Sequence, residues 1–232
     1  MSGETITITT PDGAFTAYVA KPVVAKAPAI VVIQEIFGVN AVMREIADGL
    51  ADQGYLAICP DLFWRIEPGI DITDKSQAEW AKAFELFNAF DPDAGVKDIA
   101  AVIDVIRADP GCTGKVGAVG YCLGGMLAFL TATRTDADAC VGYYGVGIET
   151  RVAEADKLER PLMLHIAEED QFVPKPAQEI ILAALKNHPQ ITIHTYPGCD
   201  HAFARHGGEH YNADAARHAN GASLAFFQQH LA

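Results

Sequence analysis

The sequence has few basic residues and no paired cysteines. Its 232 residues include 17 Lys and Arg against 30 Asp and Glu, which gives a formal net charge of −13. Because nucleic acids and anionic membranes are held by clustered Lys and Arg, we expect neither as a partner. The five cysteines are odd in number and form no C-x-x-C pair. This pattern argues against a disulfide framework and against a thiolate zinc site.

Long apolar runs and a leader-like N-terminus are also missing. No stretch approaches the roughly 18 apolar residues that a membrane helix needs. Residues 1–10 lack the basic flank and apolar run of a signal peptide. No linker, internal repeat or low-complexity segment divides the chain. We therefore expect one domain over residues 1–232, located in the cytoplasm, where a thiol stays reduced.

Short apolar runs alternate with helical patterns along the chain. Runs that are apolar throughout fit strands buried on both faces of a parallel sheet. Strands are predicted, after a hairpin over 5–20 that turns at Pro11–Gly13, at 29–33, 56–59, 116–119, 139–144, 162–166 and 191–196. Helices are predicted at 41–53, 94–109, 123–134, 176–187 and 213–230. This alternation predicts an α/β fold, with a mostly parallel, doubly wound sheet and helices on both faces.

One segment, residues 62–93, interrupts the alternation. It contains no strand pattern but has an amphipathic helical pattern over 75–90. An excursion that follows a strand end usually covers the C-terminal edge of the sheet, where ligands bind in such folds. We therefore expect a helical excursion over the active site.

The most informative segment is Gly120–Gly125, which fits the G-x-S-x-G nucleophile elbow with Cys122 in place of serine. A strand must turn sharply into a helix here, and glycines on both sides remove side chains that would clash. A strand pattern precedes the segment and a helix pattern follows it. The alternative is a buried cysteine at a glycine-rich turn, since cysteine is among the most buried residue types.

Two downstream loops supply the partners that such a nucleophile needs. Asp170 follows the strand predicted at 162–166, and His201 follows the strand predicted at 191–196. The order nucleophile, acid, histidine is that of an α/β-hydrolase. His201 would activate the thiol and Asp170 would orient the imidazole, with Glu168 and Glu169 as alternatives for the acid. The oxyanion hole is expected at the N–H of Leu123 and near Ile36.

These residues resemble the dienelactone hydrolase family, the carboxymethylenebutenolidases. The matching segments are Gln34–Gly38, Cys59–Leu62, Gly120–Gly125, Gly142–Gly145, Phe172–Pro174 and His201–Arg205. The resemblance covers nearly the whole chain. It implies an α/β-hydrolase fold, hydrolysis of the enol-lactone dienelactone to maleylacetate, and no metal or organic cofactor.

The resemblance also implies roles for individual residues. Glu35 would accept a proton from the nucleophile when substrate arrives, and Arg205 would hold a substrate carboxylate. Tyr144, Trp80 and Phe84 would line the substrate site. At Trp80 the sequence departs from the family, which has a second carboxylate-binding arginine there, and Phe84 replaces a tyrosine. Either Arg205 suffices, or a neighbour such as Lys82 compensates, or the substrate is a less polar ester.

Two rival functions remain open on the sequence. Four histidines, at positions 201, 206, 210 and 218, crowd one stretch beside Asp200 and would suit zinc. Gly207 and Gly208 separate two of them, which favours solvated loop histidines and no metal. The other rival is a hydrolase-like binding protein without activity. We expect instead a monomeric enzyme acting on a small lactone or ester, with acyl transfer to an acceptor other than water as a related possibility.

Overall fold

A computed structural model describes residues 3–232, and the chain divides into two compact units, Met1–Ala118 and Val119–Ala232. The first unit contains β1 (Glu4–Thr10), β2 (Gly13–Ala20), β3 (Ala27–Ile33), α1 (Ala41–Asp52), β4 (Leu56–Pro60), α2 (Gln77–Ala89) and α3 (Pro92–Arg107). Strand β5 (Cys112–Tyr121) crosses the boundary between the units. None of the helices found among residues 3–232 has both the length and the apolar character needed to cross a bilayer.

The strands of the first unit follow the order β1-β2-β4-β3-β5. Strands β1 and β2 form the predicted antiparallel hairpin, with Thr10 opposite Gly13 at the turn, and β2 pairs antiparallel with β4. Strand β3 runs parallel to β4, with Ala29 opposite Leu56. Both central strands are buried almost throughout, as their uniformly apolar sequences predicted.

The helices of the first unit begin at residues whose side chains cap the free N–H groups of the first turn. Asn40 accepts from the N–H of Met43 at the start of α1, and Asp91 accepts from Asp93 at the start of α3. At the start of α2, the Ser76 hydroxyl oxygen accepts from the N–H of Glu79, and the same hydroxyl donates to the Glu79 carboxylate. The helix predicted at 75–90 is therefore present as α2, within the excursion.

The second unit continues from the end of β5 through β6 (Ala139–Tyr143), β7 (Leu162–Ala167) and β8 (Ile191–Tyr196), which brings the sheet to eight strands. Strands β6, β7 and β8 are parallel neighbours. Its helices are α4 (Leu123–Arg134), α5 (Lys175–Leu185) and α6 (Ala213–His230). Helix α4 packs on β6, and α6 packs on β6 and β7. The fold is an α/β-hydrolase fold, as predicted.

Several predicted boundaries were wrong by a few residues. Helix α3 begins at Pro92 and not at residue 94, because Asp91 caps it and proline suits the first helical position. Strand β5 begins at Cys112, four residues before the predicted start. Tyr144 lies outside β6, because its backbone φ is 38°. Two short 3₁₀ helices, Ile148–Thr150 and Val152–Lys157, lie in a segment for which no element was predicted.

Candidate active site

Cys122 occupies the turn between β5 and α4. Its backbone has φ 57° and ψ −116°, a conformation that residues other than glycine rarely adopt. The turn is held by backbone hydrogen bonds: the Cys122 N–H donates to the carbonyl of Tyr143 at 3.1 Å, and its own carbonyl accepts from Gly125 at 3.0 Å. The side chain makes no capping hydrogen bond to α4. The predicted strand–elbow–helix geometry is therefore present, with the thiol directly before the helix N-terminus.

The glycines beside Cys122 are required by close backbone contacts. A Cβ atom at Gly120 would lie 1.9 Å from the carbonyl oxygen of Gly124, and one at Gly125 would lie 2.4 Å from the carbonyl oxygen of Tyr143. Both distances are far below van der Waals contact, and the atoms met are backbone atoms. The elbow can therefore form only with glycine at these two positions.

The loop after β7 presents the Asp170 carboxylate in a fixed orientation. Its Oδ1 accepts from the N–H groups of Phe172 and Val173, at 2.8 and 3.1 Å. Gln178 on α5 holds the same loop by donating from Nε2 to the carbonyl of Val173 at 2.7 Å. Asp170 is 4 % exposed, so these bonds provide much of the solvation that water would otherwise supply to its carboxylate.

The His201 imidazole lies against this carboxylate. Nδ1 is 3.0 Å from Oδ1 and 2.9 Å from Oδ2 of Asp170. Because a carboxylate only accepts, Nδ1 carries the proton and Nε2 is the nitrogen left for other chemistry. The rings of Phe172 and Tyr144 contact the imidazole edge to face, with centroids 4.9 and 5.0 Å away. The ring is thus fixed by a charge and by two aromatic side chains.

The Cys122 sulfur acts electrostatically on the His201 imidazole. Burial of the imidazole lowers the pKa of His201, but the Cys122 sulfur and the Asp170 carboxylate outweigh burial and raise that pKa to about 10. Nε2 is buried and makes no hydrogen bond of ordinary geometry among residues 3–232. The Cys122 sulfur nevertheless acts on this imidazole, since it is the largest of the influences that raise the pKa of His201.

Strained backbone occurs in three of the segments that follow strands. In the described residues, the non-glycine residues with positive φ are Cys122 after β5, Tyr144 after β6 and Ala202 beyond β8. Tyr144 carries part of the imidazole contact, and Ala202 directly follows His201. Such conformations persist only where the surrounding structure enforces them, and they cluster at functional sites.

The other predicted residues of the second unit lie close to this arrangement in the chain. Arg205 is 8 % exposed, and its N–H donates to the carbonyl of Ala202 at 2.9 Å, within the loop that carries His201. Leu123 is the first residue of α4, so its N–H has no carbonyl of the same helix to bond. Among the residues predicted for the site, Asp170, His201, Tyr144 and Cys122 interact in the structure.

Four further predicted site residues belong to the first unit. Glu35 and Ile36 follow β3 and are 1 and 5 % exposed, so Glu35 is a buried acid and not a solvated one. Trp80 and Phe84 stack on α2, with ring centroids 5.5 Å apart, and Trp80 donates from Nε1 to the carbonyl of Asp74. Their predicted roles at the site stay predictions.

The positive charge of Lys82 is already paired with acidic side chains, so it does not replace the second carboxylate-binding arginine of the family. Its Nζ lies 2.7 Å from the carboxylate of Glu67 and 3.3 Å from that of Glu85. Two acids therefore share one ammonium group. This pairing argues against the alternative in which Lys82 compensates for Trp80.

The crowded histidines of the C-terminal region do not converge on one point. His206 faces the ring of Tyr211, His218 faces Tyr196, and His210 lies near Asp200. In the part of the chain that the structure describes, no group of three or more His, Cys, Asp or Glu side chains is arranged to hold a metal ion.

Three residues that the sequence analysis did not assign to the site support its geometry. They are Phe172, which contacts the imidazole, Gln178, which braces the Asp170 loop, and Asp200. The Asp200 Oδ1 accepts from the N–H groups of Gln171 and His201, at 3.0 and 2.6 Å, and so ties the loop of Asp170 to the loop of His201. The position of Asp200 next to His201 was the available signal, and it was interpreted only as a rival metal ligand.

The sequence and the fold match known proteins over nearly their whole length. Residues 15–231 match the model of the dienelactone hydrolase family. A carboxymethylenebutenolidase of Pseudomonas putida is 44% identical over 227 residues, which cover 97% of this chain and 96% of the relative. An Azospirillum brasilense protein provisionally given the same name is 52% identical over 231 residues, 95% of each chain. A Klebsiella pneumoniae structure provisionally named a dienelactone hydrolase is similar with a TM-score of 0.86 and 26% identity, covering 98% of each chain.

Proposed function

The chain belongs to the dienelactone hydrolase family and is a carboxylic ester hydrolase, and we propose that it opens dienelactone to maleylacetate with Cys122 as the nucleophile. The observation that carries this proposal is the elbow thiol that interacts with an imidazole whose Nδ1 lies 2.9 Å from a buried carboxylate. The name of the Pseudomonas putida relative, carboxymethylenebutenolidase, supports the choice of a lactone.

The first half of the reaction forms an acyl-cysteine. The Cys122 thiolate attacks the lactone carbonyl carbon, and the carbonyl oxygen becomes an oxyanion. As the carbon–oxygen bond of the ring breaks, protonated His201 gives its Nε2 proton to the leaving enol oxygen. The enol then tautomerises to the ketone. The partial positive charge at the N-terminus of α4 stabilises the thiolate before attack.

The second half of the reaction regenerates the enzyme. Neutral His201 takes a proton from a water molecule, which attacks the acyl carbon. The thiolate leaves as the carboxylic acid forms, and imidazolium is restored beside it. Asp170 keeps Nδ1 protonated throughout, so Nε2 is the nitrogen that exchanges protons.

The remaining residues bind charge that the reaction develops or that the substrate carries. The N–H groups of Leu123 and Ile36 donate to the oxyanion. Arg205 binds a carboxylate of the substrate, a charge-assisted contact worth about 1.5–3 kcal/mol. Glu35 accepts the proton of the Cys122 thiol when substrate binds and returns it to the thiolate after the product leaves. Tyr144 lines the acyl side of the site. The reaction uses no metal and no organic cofactor, and the enzyme acts as a monomer in the cytoplasm.

A less polar ester is the second candidate substrate. It is favoured by the stacked apolar pair Trp80 and Phe84, which stands where the family has a second carboxylate-binding arginine and a tyrosine. An acidic substrate would then meet one guanidinium and not two. The same triad chemistry applies to either substrate, so only the relative efficiencies differ.

A hydrolysis panel tests the proposal. It compares cis- and trans-dienelactone, simple lactones and p-nitrophenyl esters on wild type and on Cys122→Ala. We expect Cys122→Ala to lose several orders of magnitude in kcat on every substrate while keeping its fold. The control is Cys112→Ala, a cysteine of similar burial, which should hydrolyse at the wild-type rate. Near wild-type turnover by Cys122→Ala would reject the nucleophile, and faster turnover of neutral esters would select the second candidate.

A further inference from the structure

A chain of polar side chains runs through the second unit and is buried except at its exposed end, Asn220. The Tyr196 hydroxyl lies 2.8 Å from Nδ1 of His165, and Nε2 of His165 lies 2.9 Å from the Ser223 hydroxyl. The Ser223 oxygen is 2.7 Å from the hydroxyl of Tyr143, which donates to Oδ1 of Asn220 at 3.0 Å. Three parallel strands and helix α6 therefore meet in one line of hydrogen bonds.

The ionisation of His165 restricts how protons are arranged along this line. Burial, together with the neighbouring His194 and His218, lowers the pKa of His165 to about 3. The imidazole is therefore neutral at physiological pH, and it has one donor nitrogen and one acceptor nitrogen. It cannot donate to Tyr196 and to Ser223 at once.

The hydrogen bond to Asn220 determines the direction in which protons are donated along the chain. Because the Tyr143 hydroxyl donates to Asn220, its oxygen must accept from Ser223. The Ser223 hydroxyl is then used as a donor, so its oxygen accepts from Nε2–H of His165. Nδ1 of His165 is left as the acceptor for the Tyr196 hydroxyl. Each group donates once, in a single direction, from Tyr196 to Asn220.

The backbone of the same residues holds the strained positions of the site. The Cys122 N–H donates to the carbonyl of Tyr143 at 3.1 Å, and the Tyr144 N–H donates to the carbonyl of His165 at 2.8 Å. Both donors have positive φ, 57° and 38°. The side chains of Tyr143 and His165 meet at one atom, the Ser223 oxygen. One helix residue thereby joins the two carbonyls that restrain the elbow and the Tyr144 turn.

We propose that Ser223 and His165 are positioning residues for Cys122, acting through a one-directional hydrogen-bond chain that fixes the carbonyls of Tyr143 and His165. This role rests on the proposed function, in which Cys122 is the nucleophile. Neither residue touches the reacting atoms. Each holds a strand end in the register that aims the thiol and sets Tyr144 against the imidazole.

Two substitutions break the chain by removing one oxygen each. Ser223→Ala removes the shared atom, and Tyr143→Phe removes the next link while leaving the Tyr143 carbonyl in place. The matched control is Tyr18→Phe, which removes a tyrosine hydroxyl that donates to Asp48 in the first unit. Ser223→Thr retains a hydroxyl and should rescue the function. If Ser223→Ala fails to fold, Tyr143→Phe still tests the proposal.

The measurements are kcat and KM on p-nitrophenyl acetate, and the rate at which iodoacetamide alkylates Cys122, followed by peptide mass spectrometry. We expect Ser223→Ala and Tyr143→Phe to lower kcat and the alkylation rate between about tenfold and about 100-fold, with KM little changed, because small displacements of a nucleophile are costly. Tyr18→Phe should match wild type. Nitrogen-15 NMR should show the Nε2–H tautomer of His165 in wild type.

Wild-type kcat and alkylation in both chain variants would overturn the positioning role, and an Nδ1–H tautomer of His165 would overturn the proton order. A loss equal to that of the Tyr18→Phe control would also count against it, because a general loss of stability would then suffice. Failure of the proposed function is separate, since it would appear as hydrolysis by Cys122→Ala. The alkylation rate of Cys122 reports its positioning whether or not that thiol is the nucleophile.

Discussion

Asp170 presents both carboxylate oxygens to Nδ1 of His201, at 3.0 and 2.9 Å. Oδ1 also accepts two backbone N–H groups of its own loop. The backbone of its own loop therefore orients the carboxylate independently of the imidazole. The charge of the carboxylate determines which imidazole nitrogen carries the proton.

Replacing this carboxylate by an amide should disturb the imidazole with little change in shape. We expect Asp170→Asn to lower kcat by well over tenfold, and by up to about 10⁴, because Asn can stabilise the tautomer with the proton on the other nitrogen. The matched control is Glu169→Gln in the same loop, where the carboxylate pairs with Lys175 at the surface. Steady-state kinetics on a p-nitrophenyl ester measure both. A silent Asp170→Asn would transfer the role to Glu168 or Glu169.

The raised pKa of His201 predicts a pH dependence. A histidine whose pKa rises from 6.5 in the unfolded chain to about 10 in the folded one stabilises the fold fully below pH 6.5. That contribution declines as the pH rises and is lost above about 10. Activity that needs protonated His201 as a general acid should fall over the same alkaline limb.

Removing the Cys122 sulfur should lower this pKa, because the sulfur is the largest of the influences that raise it. NMR titration of the His201 ring in wild type and Cys122→Ala measures the change. Cys112→Ala is the control and should leave the titration where it is. An unaltered His201 titration in Cys122→Ala would mean that Asp170 alone holds the proton on the imidazole.

Arg205 should discriminate between acidic and neutral substrates. Its loss should weaken kcat/KM for acidic lactones by about 2–3 kcal/mol, the usual cost of removing a charged hydrogen-bonding partner. Neutral p-nitrophenyl esters should change little. Arg217→Ala, an exposed arginine of the same unit paired with Asp214, is the control. The measured quantity is the ratio of acidic to neutral efficiency, and a constant ratio would make Arg205 structural. Trp80→Arg should raise that ratio.

Glu35 should govern how the thiol is activated. It is a buried acid, 1 % exposed, two residues after the end of β3. We expect Glu35→Gln to change how the rate of Cys122 alkylation depends on pH and on a bound substrate analogue. Glu45→Gln, at an exposed position of α1, provides the matched change without burial. Identical alkylation profiles for Glu35→Gln and wild type, with and without the analogue, would remove Glu35 from the activation step.

The sequence predicted the fold well because its signals were local. Uniformly apolar runs identified the central strands, and Pro11–Gly13 identified the hairpin turn. The elbow at Gly120–Gly125 was predictable because close backbone contacts permit only glycine at two of its positions. Asp170 and His201 were found by chain order and by their places after β7 and β8, and the structure shows them in hydrogen-bonding contact.

Features that depend on contacts between distant segments could not be predicted. The positive φ of Tyr144 arises from its place between the His165 carbonyl and the imidazole of His201, and nothing in its own sequence signals that conformation. His165 lies in an apolar strand, and nothing in its neighbouring sequence indicates that it hydrogen-bonds to Ser223, which is 58 positions away. The 3₁₀ helices lack the apolar period that a longer helix shows.

Strained backbone at Cys122, Tyr144 and Ala202 has a consequence for the engineering of this protein. Each such position costs about 1–3 kcal/mol, so heat resistance and reactivity compete at the same three loops. Ala202→Gly would relieve the strain at φ 61°, but it would also make the backbone directly after His201 more flexible. A library selected for melting temperature alone should collect such relaxed variants, and their esterase activity would decline as their melting temperature rises.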